Sequence, residues 1–198
     1  MEDRDPPLMD DFFYISDQSV STFALRDLER RVLTALQFRL HRLSPFHFVT
    51  SFLRAGRACQ DMNCTFHSPV QYNLTLYLIT LGRLSYSLSR YSPSVLTAAA
   101  VYLSRVTLGI THTDIDKEEY GKYWSPLLVQ HTGYTKDDLK NPVFLLYNYQ
   151  LKAEELNVAV FQQFSKAKFD CVSLRTAPRV EDLDFGSPVL YDDLDVEP

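Results

Sequence analysis

The sequence has little glycine, few cysteines and no long apolar run. Six glycines in 198 residues are less than half of the usual share of about 7%, which argues against phosphate loops and tightly turned all-β folds. Three cysteines at irregular spacings indicate reduced thiols in an intracellular compartment. No stretch approaches about 18 uninterrupted apolar residues and no signal peptide is recognisable, so we expect a soluble protein.

The composition is that of a globular protein with a slight acidic excess. Hydrophobic residues make up 45% and aromatic residues 13% of the chain, enough to bury a core and to exclude disorder throughout. Twenty basic residues stand against 25 acidic ones. The chain as a whole therefore has no general attraction for nucleic acid or for anionic lipid.

The motifs that carry enzyme chemistry are missing. The sequence contains no glycine-rich phosphate loop, no H-E-x-x-H and no G-x-S-x-G. Cys59, Cys64 and His67 come closest to a metal cluster, yet only three ligands stand together and the C-x-x-C spacing of common zinc sites is absent. We therefore expect no catalytic residues, no metal site and no cofactor.

Four Ser-Pro dipeptides divide the chain into helices. Serines 44, 68, 92 and 125 each precede a proline and an apolar run, and a serine cap followed by proline in the first turn is typical of a helix start. Thr135, with Asp138 three residues later, predicts a capping box. The patterns predict an all-α protein with helices near 8–15, 21–37, 45–57, 69–86, 93–108, 125–131, 136–150 and 154–166.

The helix over 93–108 has almost no polar face, which predicts a position at the centre of a bundle. The helix that begins near Ser21 differs, because five of its residues recur at the spacing of one buried face: Leu25, Leu28, Val32, Ala35 and Leu36.

A second line on that helix suggests a protein interface. Glu29 and Leu33 are four residues apart and therefore neighbours on one face, and Phe38 and Leu40 follow just beyond. Apolar anchors beside a charge that fixes register are what a protein interface needs.

Basic residues are concentrated in one part of the chain. Between positions 26 and 57 seven arginines face only Asp27 and Glu29. This excess is either the solvated face of two helices or a surface for an acidic partner. The arginines are Arg26, Arg30, Arg31, Arg39, Arg42, Arg54 and Arg57.

Several segments resemble the cyclin family in one order and register. Residues 11–17 and 28–40 are similar to the end of the first cyclin box, and residues 44–48 resemble the proline-led start of the second box. Residues 91–100 resemble the alanine-rich central helix of that box. Residues 124–127 and 131–135 are similar to the segment that follows in mitotic A/B-type cyclins, and residues 164–169 resemble the closing stretch.

This resemblance implies a cyclin fold, with a truncated first helical repeat and a complete five-helix second repeat. The implied domains are 1–42 for the end of the first cyclin box and 43–175 for the second box. Acidic residues dominate from Arg179 onward, so from composition we expect residues 176–198 to form a mobile tail. The resemblance also implies a non-catalytic subunit that binds and activates a cyclin-dependent Ser/Thr kinase, controls cell-cycle progression and resides in nucleus and cytoplasm. The kinase contact would include Glu29, Arg30, Leu33, Phe38 and Leu40.

The sequence departs from the family's pattern at its start. The family's lysine that pairs with the position of Glu29 has no counterpart here, and neither has the front of the first box with its substrate-docking patch. Without that lysine we expect Glu29 to be unpaired. Two other functions stay open. One is a nucleic-acid-binding, transcription-factor-like protein that uses the arginine-rich span, and the other is a helical scaffold without a kinase partner.

Overall fold

A computed structural model of the chain describes residues 8–56, 68–111, 121–155 and 158–185. Over these residues the secondary structure is entirely helical, which confirms the predicted all-α class. None of the described helices is both long enough and apolar enough to cross a membrane. The chain divides into two compact units, residues 1–42 and residues 43–198.

The first unit contains two helices, α1 (Met9–Ile15) and α2 (Thr22–Ala35). The Ser21 side chain accepts a hydrogen bond from the Ala24 amide at 3.2 Å, so it satisfies one of the free amides of the first turn of α2.

The predicted buried face of α2 is wrong. Leu28, Val32 and Leu36 are each about half exposed, and the helix has no fully buried residue. The other helix described in this unit, α1, has seven residues. So short a helix covers too little apolar surface to close a core against α2.

The second unit contains the remaining helices and a series of short turns. The helices are α3 (Phe46–Ala55), α4 (Pro69–Gly82), α5 (Tyr86–Ser89), α6 (Pro93–Leu108), α7 (Pro126–Thr132), α8 (Lys136–Glu155) and α9 (Ala159–Phe164). Three 3-10 turns follow at Ala167–Phe169, Val172–Leu174 and Val180–Leu183. The single helix predicted over 69–86 is interrupted after Gly82, and the helix predicted from 136 extends to Glu155.

Helix α6 lies at the centre of the second unit, as predicted. All residues from Leu96 to Val106 are buried, and α3, α4 and α8 pack around them. Three successive alanines, residues 98–100, have no exposed surface. Their small side chains let the neighbouring helices approach closely.

The Ser-Pro dipeptides cap two of the four helices that they precede. Ser92 accepts from the Val95 amide at 3.4 Å, and Ser125 accepts from the Leu128 amide at 3.3 Å. Ser68 stands at the start of α4 without a side-chain cap. The Ser44 hydroxyl instead lies 2.8 Å from Nδ1 of His47. The predicted pair of Thr135 and Asp138 does form a capping box at the start of α8.

A buried arginine connects α6 to two neighbouring segments. Arg105 is 1% exposed. Its Nε donates to the Tyr123 carbonyl at 2.8 Å, and its Nη1 donates to the Gly56 carbonyl. Burial lowers the pKa of Arg105 to about 10, because a low-dielectric interior disfavours the charged form. The guanidinium satisfies carbonyls that would otherwise be left unpaired in the interior.

The beginning of the predicted tail is packed against the domain. Leu183 has no exposed surface, and its carbonyl accepts from the Tyr102 hydroxyl at 2.9 Å. Phe185 stacks on Tyr102 with 4.9 Å between ring centroids. Asp184 and Lys136 form an ion pair at 3.0 Å. Residues 177–185 therefore contribute to the core of the second unit, whereas a mobile tail was expected from residue 176 onward. Residues 186–198 lie outside the described residues.

Candidate protein-binding surface

The five residues predicted for the contact lie at the C-terminal half of α2 and in the segment that follows it. Glu29 and Arg30 are exposed, and Leu33 is half-buried. Phe38 is 68% exposed and Leu40 is 60% exposed. These exposed apolar side chains are available to a partner, because no interior of the described chain encloses them. We call Leu33, Phe38 and Leu40 the apolar ridge.

Main-chain hydrogen bonds at the end of α2 bring two members of the apolar ridge together. The Phe38 amide donates to the Leu33 carbonyl at 2.9 Å, and the Gln37 amide donates to the Thr34 carbonyl at 3.0 Å. This pair of bonds is a Schellman motif, in which the residue that follows the cap commonly meets the last turn of the helix. Leu33 and Phe38 are therefore fixed relative to each other by the backbone.

Two successive residues at the end of this motif have a left-handed conformation, and the second of them is bulky. Gln37 and Phe38 have φ values of 51° and 55°, a region that favours glycine and disfavours large side chains. Each such residue costs about 1 kcal/mol or more, and strained residues of this kind concentrate at functional sites. The exposed phenylalanine makes this position a candidate for function.

Main-chain hydrogen bonds also order the two residues after Phe38. The Arg39 amide donates to the Leu36 carbonyl at 2.9 Å, and the Leu40 amide donates to the Phe38 carbonyl at 3.0 Å. The amides of residues 37–40 thus all have acceptors within the first unit. Ordering in advance lowers the entropic cost of binding, so the apolar ridge is suited to act as an anchor.

Charged side chains border the apolar ridge on α2. Glu29 lies one helical turn before Leu33, and within the described residues neither Glu29 nor Arg30 forms an ion pair. Arg26, Arg31, Arg39 and Arg42 of the first unit are exposed as well. Arg57 lies outside the described residues. Free charges around an apolar centre form the polar rim of a protein interface.

Sequence reasoning missed the extent of this apolar surface. Phe12, Tyr14, Ile15 and Phe23 are between 44% and 82% exposed in the first unit. Leu28, Val32 and Leu36, which were predicted to form a buried face of α2, are about half exposed too. The available signal in the sequence was that α2 has apolar residues on two faces, whereas the helix before it in the described residues is short.

Polar side chains from α3 and α7 also line a cavity between these two helices. It measures about 600 Å³ and is lined by residues that include His47, Arg54 and Leu127. Ser51 Oγ lies 2.7 Å from His131 Nε2 in its wall. None of the described lining residues is a carboxylate, so this serine and histidine lack the third member that orients a catalytic triad.

No group of three histidine, cysteine, aspartate or glutamate side chains in the described part of the chain is arranged to hold a metal ion. The three residues considered for such a site, Cys59, Cys64 and His67, lie outside the described residues.

Comparison with known proteins identifies the family. The family described as "Cyclin, C-terminal domain" matches residues 43–178, which comprise α3 to α9 and the first two of the three 3-10 turns after them. The chain belongs to the cyclin family. This match confirms the cyclin fold that the sequence resemblance implied.

Similar proteins include A- and B-type cyclins. Cyclin-B1-3 of Oryza sativa subsp. japonica is 29% identical over 86% of this chain, and Cyclin-A2-3 of Arabidopsis thaliana is 27% identical over 91%. The G2/mitotic-specific cyclin-B of Drosophila melanogaster is 24% identical over 88%. These matches confirm the resemblance to mitotic A/B-type cyclins. The matched regions are 32%, 38% and 31% of those three proteins, so the chain spans about a third of their length.

Proposed function

We propose that this cyclin-family chain is a non-catalytic regulatory subunit that binds and activates a cyclin-dependent Ser/Thr kinase. Glu29, Arg30, Leu33, Phe38 and Leu40 form the contact in this proposal, and the protein acts in cell-cycle progression in nucleus and cytoplasm. The observation that carries it is the apolar ridge, where Phe38 and Leu40 are each more than half exposed.

The energetics favour a protein partner for the apolar ridge. Burying a large apolar side chain contributes about 1.5–3 kcal/mol, and a few such anchors dominate most interfaces. Phe38 combines a left-handed backbone conformation with a ring that is 68% exposed, and the exposed charge of Glu29 can fix the position of a polar partner group. A purely polar ligand would leave the apolar ridge exposed to water.

The reaction mechanism of protein kinases explains how binding to the apolar ridge would activate a kinase. Phosphoryl transfer by a protein kinase requires a lysine–glutamate ion pair and an ordered activation loop, and both depend on the position of one kinase helix. A rigid surface that packs against this helix shifts the population toward the active arrangement, provided that it binds that arrangement more tightly. The apolar ridge supplies such a surface in our proposal.

The proposal is tested by adding the full chain to a purified monomeric mitotic cyclin-dependent kinase. We expect saturable binding by calorimetry and a rise in phosphorylation of a Ser/Thr-Pro peptide over the same concentration range. Absence of binding at tens of micromolar chain would contradict the proposal. Binding without activation would limit the function to partner recognition.

The arginine-rich span supports nucleic acid as a second candidate partner, and one measurement separates the two. Phosphate contacts would make affinity for random duplex DNA fall by orders of magnitude between about 50 and 200 mM salt. We expect negligible duplex binding at both concentrations, since the net charge of the chain is −5. Tight, strongly salt-dependent binding would favour the nucleic-acid function instead.

A further inference from the structure

The cavity between α3 and α7 has hydrogen-bond donors and positive charge in its wall. Its volume of about 600 Å³ lies within the usual range for ligand pockets. No carboxylate is among its described lining residues, and all of these belong to the second unit. The polar members of the wall are His47, Thr50, Ser51 and Arg54 from α3 and His131 from α7.

The charge of Arg54 has no partner in the described part of the chain. Its side chain is exposed and forms neither an ion pair nor a hydrogen bond with any described residue. A guanidinium carries five donors in a planar arrangement that matches the oxygens of a phosphate or a carboxylate. Because no described wall residue balances this charge, the cavity favours an anion over a neutral or cationic ligand.

Hydrogen bonds determine which nitrogen of His47 can serve a ligand. The Ser44 amide donates to His47 Nδ1 at 3.1 Å, so Nδ1 is an acceptor and Nε2 carries the proton of the neutral ring. Among the described residues Nε2 has no acceptor of its own. His47 is therefore available as a second donor at the cavity.

Ser51 and His131 form a hydrogen-bonded pair that can supply a third donor. Ser51 Oγ lies 2.7 Å from His131 Nε2, and both side chains are exposed. When the imidazole is protonated, its Nε2–H donates to Oγ, which leaves the serine O–H free to donate to a ligand. A bound anion favours that protonated form, so the charge of the ligand and the arrangement of this pair support each other.

The number of donors suits a phosphate monoester better than a carboxylate. A phosphorylated side chain carries three terminal oxygens and a charge of about −1.5 to −2 at neutral pH, whereas a carboxylate has two oxygens and one charge. Donors from Arg54, His47 and Ser51 can occupy all three oxygens of the former.

The rest of the wall favours a peptide as the carrier of the phosphate. Leu127 is 50% exposed at the cavity, and Ala55 lies in the same wall. These apolar groups gain from contact with an aliphatic side chain next to the phosphate. The described wall contains no phenylalanine, tyrosine or tryptophan, the rings on which the bases of single-stranded nucleic acid usually stack.

We propose that this cavity binds a phosphorylated serine or threonine side chain within a peptide segment. Arg54 donates to the phosphate through its guanidinium, His47 through Nε2–H and Ser51 through its hydroxyl, and a neighbouring aliphatic side chain of the peptide packs on Leu127. The site goes beyond the proposed kinase contact and shares no residue with it, and its test needs no kinase.

The probe is the blocked peptide acetyl-Leu-phosphoserine-Leu-amide, titrated into the ¹⁵N-labelled full chain in a phosphate-free buffer and followed by NMR. We expect saturable shifts of the amide signals of residues 47–54 and 127–131. The same peptide with glutamate in place of phosphoserine should bind about tenfold more weakly, as should inorganic phosphate. No saturable shift, or equal affinity for the glutamate peptide, would overturn the proposal.

Two further probes test the source of the phosphate. Inorganic phosphate that binds as tightly as the phosphopeptide would overturn the choice of a peptide in favour of free phosphate. Displacement of the phosphopeptide by an equal concentration of random duplex DNA would assign the cavity to nucleic acid and would overturn that choice as well. We expect neither result.

Variants assign the binding to this cavity. Arg54→Gln should weaken phosphopeptide binding at least about tenfold, because it removes charge-assisted hydrogen bonds, and His131→Gln should weaken it because glutamine cannot carry the positive charge. Arg90→Gln is the matched control, since Arg90 is exposed in the second unit but outside the described cavity wall. It should leave the affinity unchanged. Equal effects of the two arginine substitutions would mean that general charge attraction explains the binding, and would overturn the site.

Discussion

Truncation of the apolar ridge should break the proposed kinase contact without unfolding the chain. Phe38 is 68% exposed, so a partner has about 140 Å² of its surface left to bury if a phenylalanine offers about 200 Å² in all. At 25 cal/mol per Å² this burial contributes about 3 kcal/mol, of which alanine retains roughly a third. Phe38→Ala should therefore weaken kinase binding about thirtyfold.

Adding Leu33→Asp should abolish measurable binding, since a charge would then enter an apolar contact. Helix content should not change, because α2 has no buried residue. Calorimetry with the purified kinase gives the affinity, and far-ultraviolet circular dichroism gives the helix content. Phe23→Ala is the matched control, since Phe23 is 82% exposed but lies outside the proposed contact. The reasoning would be refuted if Phe38→Ala bound like the unmodified chain, or if Phe23→Ala weakened binding equally.

Three further predictions concern the cyclin domain. Arg105→Met should lower the free energy of unfolding by about 2–4 kcal/mol in urea denaturation, because two buried carbonyls lose their donor; an unchanged midpoint would refute this role. Tyr102→Phe should cost about 1–2 kcal/mol, since it removes the hydrogen bond to Leu183, and it should leave residues 177–185 more susceptible to limited proteolysis. The pKa of Asp138 lies below its ordinary value because of hydrogen bonds from Thr135. Its stabilising effect is therefore present above about pH 4 and lost as the pH falls further, so Asp138→Asn should reduce the acid sensitivity of unfolding.

The central helix could be predicted from sequence because its apolar residues cover every face. In the region of α6, burial follows from composition alone, and no neighbour needs to be known. The start of α8 was equally predictable, since the capping box is local and Asp138 stands three residues after Thr135.

The α2 stripe shows where periodicity is insufficient. Leu28, Val32 and Leu36 do lie on one face, but a pattern states which residues share a face and leaves open what covers it. In the described first unit nothing large enough does. Glu29 and Leu33 could be proposed as neighbours from their spacing. The left-handed conformation of Phe38 could not, because phenylalanine at that position is the exception that sequence statistics disfavour.

The packing of residues 177–185 could not be predicted, because the composition of this part of the chain is acidic. Leu183 and Phe185 lie among aspartates and glutamates, and average polarity predicts mobility for such a stretch. Their packing involves a long-range hydrogen bond from Tyr102 and ring stacking, which no local pattern reveals. Single apolar residues in an acidic segment can therefore determine whether it packs.

Hydrogen–deuterium exchange of the chain with and without a purified cyclin-dependent kinase tests the central claim most directly. We predict slower exchange of the amides of residues 29–40 in the complex, because a bound partner would stabilise the Schellman motif and exclude water from the apolar ridge. Phe38→Ala should reduce that protection at equal kinase concentration. A complex in which residues 29–40 exchange as fast as in the free chain, while protection appears elsewhere, would contradict the account.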